Sequence, residues 1–81
     1  MTFKEYTNLT ETDQDWILWS CGVAVAKRSD KLYNYILYQV EGFYIELKFH
    51  AGQKKVIAIY SFDDINLIDP YLDELIIHVS F

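Results

Sequence analysis

The sequence predicts an α+β fold made of an N-terminal helix, a four-stranded antiparallel β-meander and a short C-terminal helix. Three observations carry this expectation. Thr10-Glu11-Thr12-Asp13 has the form of a capping box and opens an apolar run that ends at Gly22. Two stretches rich in tyrosine, isoleucine and leucine flank Glu41-Gly42, a hairpin signal. Asp69-Pro70 follows the last β-rich run and can start a helix.

In chain order, a helix is expected from near residue 11 through Trp16, Ile17, Leu18 and Trp19. The Thr10 hydroxyl is placed to accept from a first-turn N–H, and Glu11, Asp13 and Asp15 complement the positive end of the macrodipole. The two tryptophans, three apart, share one face. Gly22 is expected to end the helix in a left-handed conformation. Residues 23–28 contain two valines and suit a strand, but they equally extend the helix if the glycine is tolerated, and both readings stay open.

Ser29-Asp30 reads as a tight turn and residues 32–40 as a strand. Glu41-Gly42 then forms a two-residue hairpin turn, with the glycine expected at positive φ. That turn fixes the register. Val40 opposes Phe43, Tyr38 opposes Ile45, Ile36 opposes Leu47 and Asn34 opposes Phe49, a nearly all-apolar face suited to receive the helix. The other face pairs Gln39 with Tyr44, Leu37 with Glu46, Tyr35 with Lys48 and Tyr33 with His50, and is polar but strongly aromatic. Residues 55–62 are apolar on both faces, which predicts a strand covered on both sides. Asp63-Asp64 ends it, Asp69 is expected to cap a helix through Tyr71, Leu72 and Leu75, and residues 76–81 read as a last strand or an extended arm.

Composition bounds the class of protein. With 81 residues there is room for one domain spanning 1–81, and 52% hydrophobic and 17% aromatic residues argue against disorder. A net charge of −5 and a pI near 4.7 argue for solubility and against nucleic acid or an anionic membrane as partner. Cys21 is the single cysteine, so a disulfide framework is excluded and a reducing compartment, the cytoplasm, is expected. The N-terminal residues show no apolar signal region and no run approaches the roughly 18 apolar residues of a membrane span, so neither signal peptide nor anchor is expected.

The segment Leu37-Tyr38-Gln39-Val40-Glu41-Gly42-Phe43-Tyr44-Ile45-Glu46, followed by Tyr60-Ser61-Phe62 and Leu67-Ile68-Asp69-Pro70-Tyr71-Leu72, resembles a group of small uncharacterised bacterial proteins. The likeness covers roughly the C-terminal three quarters of the chain. It implies the meander and transfers no catalytic residue.

Four constellations are candidates for function. For catalysis, His50 and His78 are the only histidines, and no HExxH, CxxC, GxGxxG or P-loop pattern is present, so no metal or cofactor is expected. His50 with Glu46, Lys48 and Tyr33 forms a candidate polar cluster for a small ligand or for catalysis, the alternative being an ordinary solvated strand face. Cys21 is expected to pack as a small hydrophobe. Lys27, Arg28, Lys31, Lys54 and Lys55, with Lys48 nearby, fall toward one end of the sheet as a candidate anion or partner patch, or as lysines that keep hairpin tips soluble and unpaired. Asp63, Asp64, Asp69, Asp73 and Glu74 suggest a third reading, an acidic mimic of nucleic-acid phosphate, against a solvated acidic helix.

The leading expectation is a non-enzymatic module acting by protein contact. Its interaction face comprises Tyr33, Tyr35, Leu37, Tyr44, Ile57 and Ile59, with homodimerisation as the simplest use, because tyrosine contributes contact area and a hydroxyl at low entropic cost. The competing reading has the C-terminal helix or tail folding over that face as core.

Overall fold

A computed structural model describes residues 1–71. Its elements are α1 (Phe3–Thr7), α2 (Glu11–Cys21), β1 (Val23–Ser29), β2 (Tyr33–Val40), β3 (Phe43–His50), β4 (Val56–Phe62) and a 3-10 helix, Ile65–Ile68. The four strands form one antiparallel sheet in the order β1-β2-β3-β4, so the α+β meander is the observed fold.

The hairpin register matches the expected pairs at all eight positions from Tyr33–His50 to Val40–Phe43. The turn geometry differs from the expectation. Glu41, not Gly42, takes the positive φ, at 48°. Residues 23–28 resolve as strand, and Gly22 stops α2 without a left-handed turn, at φ −75° and ψ 140°. A Cβ at Gly22 would stand 2.5 Å from the Leu18 carbonyl oxygen, so close approach, not positive φ, is what requires glycine there. At the next turn Asp30 Oδ1 accepts from the Leu32 and Tyr33 N–H groups at 2.9 and 2.8 Å, fixing the β1–β2 connection.

Thr10 caps α2 as expected, its hydroxyl accepting from Asp13 N at 3.2 Å. The sequence reading missed α1, which has a full capping box: Thr2 Oγ1 accepts from Glu5 N, and Glu5 Oε1 accepts from Thr2 N.

The two helices cover one sheet face. Tyr6 and Leu18 join Val40, Phe43, Ile45 and Leu47 in a buried cluster, with Phe3 and Ile17 packed against it. Each of these fully buried apolar side chains contributes roughly 1.5–3 kcal/mol. The Tyr6 and Phe3 rings meet Phe43 at 5.0 and 5.7 Å. Trp16 and Trp19 share the outward face of α2 and are exposed, although Trp19 stands edge-on to Tyr38. Cys21 is exposed rather than packed as a hydrophobe.

Two expectations near the end of the meander are corrected. β4 is an edge strand among the described residues, paired only with β3, and Ile57, Ile59 and Tyr60 are 40%, 48% and 48% exposed. Two-sided apolarity in the sequence therefore does not mean two-sided cover. Asp69 is already helical at φ −48°, and the capping residue is Asp64, whose Oδ1 accepts from Asn66 N at the start of the 3-10 helix. Leu72, Asp73, Glu74, Leu75, His78 and the arm at 76–81 lie outside the described residues.

Candidate functional site

The second sheet face is built by alternation: β2 contributes Tyr33, Tyr35 and Leu37, β3 contributes Tyr44, Glu46, Lys48 and His50, and β1 contributes Ala26 and Arg28 opposite Leu37 and Tyr35. Ile68 and Tyr71 close over it. Tyr35, Leu37 and Tyr71 retain only 8%, 1% and 0% exposure, which makes this face a second core.

Its polar groups bind one another. Arg28 lies flat over the Tyr35 ring, 3.7 Å from the centroid, with Tyr71 at 5.3 Å. Its Nη2 is 3.5 Å from Glu46 Oε2, and the Tyr71 hydroxyl donates to that same oxygen at 2.5 Å. Burial pushes the Tyr71 phenol well above its ordinary value, and the Glu46 carboxylate raises it further. Lys48 Nζ sits 4.0 Å over the Tyr33 ring. The Tyr35 hydroxyl donates to Asp30 Oδ2 at 3.2 Å. The Asp30 carboxyl is held below its usual range by the Leu32 and Tyr33 amides, with smaller contributions from Tyr35 and Arg28. Arg28 Nε is buried without a partner among the described residues.

This geometry divides the residues singled out in the sequence. Tyr33, Tyr35, Leu37 and Tyr44 do lie together, but Tyr35 and Leu37 are core. Ile59 is on the opposite face, across from Leu47, because one extra residue, Ile57, interrupts the β3–β4 register between Phe49–Val56 and Lys48–Ala58. The bulge reverses the alternation expected from a regular strand, and no residue pattern marked it. The cluster of His50, Glu46 and Lys48 forms in part, since Lys48 and His50 both meet the Tyr33 ring. Glu46 faces Arg28 and Tyr71, while His50 packs by its ring on Tyr33 at 5.2 Å. Of the basic patch, Lys27 is exposed within β1, and Lys31, Lys54 and Lys55 are exposed at the β1–β2 and β3–β4 connections, whereas Arg28 turns inward. Among the described acidic residues, Asp63, Asp64 and Asp69 are exposed.

What the sequence reading missed is the outer side of β4. A cleft of about 400 Å³ runs between the first turns of α2 and this strand, floored by Tyr6, Leu18 and Ile59 and edged by Glu11 and Asp15. It arises because α1 and α2 leave the outermost strand uncovered. Among the described residues no group of His, Cys, Asp and Glu is placed to hold a metal ion, and no helix is long and apolar enough to cross a membrane. Comparison with protein-family models, with curated proteins and with solved structures finds no match.

Proposed function

We propose that this is a non-enzymatic module that acts by protein contact and that its contact surface is the β4 edge rather than the tyrosine face. One observation carries the reading: β4 presents Ile57, Ile59 and Tyr60 to solvent along an edge with no strand partner among the described residues. An edge of this kind offers a row of unpaired N–H and C=O groups to an incoming strand, and exposed apolar side chains beside it add affinity. Ile65 and Leu67, exposed just beyond the strand, supply more apolar area. The tyrosine face is less suited to contact because Tyr71 and Ile68 already cover its centre. A ligand-binding or catalytic use of His50, Glu46, Lys48 and Tyr33 is disfavoured by the engagement of Glu46 with Arg28 and Tyr71.

The test is capture from a cell extract with immobilised wild-type protein and with Ile57→Lys and Ile59→Lys, each first shown to be folded by circular dichroism. The wild type retains proteins that both variants lose. Identical profiles for all three, or no retained protein and no self-association, overturn the reading.

A further inference from the structure

We propose that the partner received by β4 is a second copy of this chain, added antiparallel across a twofold axis at Ile59 so that the two sheets become one. This rests on the preceding reading of β4 as the contact surface and names its occupant.

The two edges of the sheet differ. β1 carries Lys27 and Arg28 within the strand and a bulge at Val25, both of which discourage pairing with another chain. β4 has a bulge at Ile57, but between Val56 and Phe62 it has neither charge nor proline. Its charges stand immediately outside: Lys54-Lys55 before it and Asp63-Asp64 after it.

That layout is self-complementary in one orientation only. When β4 pairs antiparallel with itself and Ile59 faces Ile59, Lys55 meets Asp63, Lys54 meets Asp64, and the same contacts recur on the other side of the axis. Parallel addition instead sets lysine beside lysine and aspartate beside aspartate. The bulge at Ile57 slides the strand ends by one place, and because both charges are doublets, Lys54 then faces Asp63 with Lys55 diagonal to it. Lys54, Lys55 and Asp63 form no ion pair among the described residues, so the pairing competes with no such bond. Asp64 accepts from Asn66 N through Oδ1, and its Oδ2 has no hydrogen bond among the described residues.

Side-chain parity agrees. An axis perpendicular to the sheet keeps the helix-covered faces of both copies on one side, so Ile59 packs on Ile59 there and Tyr60 beside Ala58 on the other. The exposed apolar residues of β4 are thereby covered without disturbing either core.

The experiment is sedimentation equilibrium on the full chain, using wild type, Lys55→Glu, Asp63→Lys, an equimolar mixture of those two, and the double variant Lys55→Glu/Asp63→Lys. The wild type is dimeric at high micromolar concentration. Each single variant, which replaces both symmetric attractions with repulsions, dimerises about tenfold more weakly. The mixture restores dimerisation as a heterodimer and the double variant restores it as a homodimer. A wild type that stays monomeric overturns the inference, as it would if the chain's own residues filled the edge. A dimer that none of the charge reversals affects overturns it too. If the wild type is monomeric yet extract proteins are still retained through Ile59, this inference fails and β4 as a contact surface stands.

Discussion

At Gly22 the chain leaves α2 for β1 so tightly that any side chain would press on the Leu18 carbonyl, which also accepts the Gly22 N–H at 2.9 Å. Gly22→Ala is expected to destabilise the fold by about 1–3 kcal/mol, read from urea unfolding, because the contact is with backbone that cannot swing aside. Glu41 poses the opposite case. It holds φ 48° with a side chain that disfavours that region. Its Oε2 contacts the exposed N-terminal ammonium at 2.7 Å, a pair of small value in water. Glu41→Asn, whose short polar side chain tolerates the left-handed region better, should raise stability by about 0.5–1 kcal/mol in urea unfolding. Both glycines of these joints were legible in the sequence as punctuation, but their reasons were not, since a close backbone approach leaves no trace in residue type. Tyr71 was legible only as a helix residue. Its hydroxyl bond to Glu46 predicts a loss of about 1.5–3 kcal/mol for Tyr71→Phe. The Tyr71 pKa is raised from its ordinary 10.0, so the unfolded chain releases that proton above about pH 10 while the folded chain keeps it. The stability from this group is therefore complete below pH 10 and declines above it, and Tyr71→Phe should make the alkaline decline shallower.

Among the elements, the hairpin was the most readable, because a two-residue turn and a period of two together allow one register that buries Val40, Phe43, Ile45 and Leu47 on one face. α2 was readable from its cap, and Thr10→Ala should cost about 1 kcal/mol in urea unfolding by orphaning the Asp13 N–H. α1 escaped notice although Thr2 and Glu5 spell a capping box, since five residues are too few to show helical periodicity. β4 was recognised as the last strand of the meander, but the cover expected on both of its faces is not there. An apolar run reads the same whether both faces are covered or one, and the bulge at Ile57 cannot be seen in a sequence that alternates no polar residues.

For the whole molecule, these placements move the proposed contact surface to β4. The helices cover one sheet face, Tyr71 and Ile68 cover the centre of the other, and among the described residues β4 is left as an uncovered apolar edge. Tyr35→Glu is accordingly expected to unfold the protein rather than release a folded monomer, because Tyr35 is buried under Arg28 beside Tyr71. Ile59→Glu should leave it folded and monomeric, and circular dichroism with light scattering distinguishes the two outcomes. The most direct test of β4 as the working surface is a dilution series followed by backbone amide NMR on the full chain. Concentration-dependent shifts are expected to be confined to residues 54–64, with the amides of Tyr33, Tyr35 and Arg28 unmoved. Shifts centred on the tyrosine face, or none across the series, would contradict it.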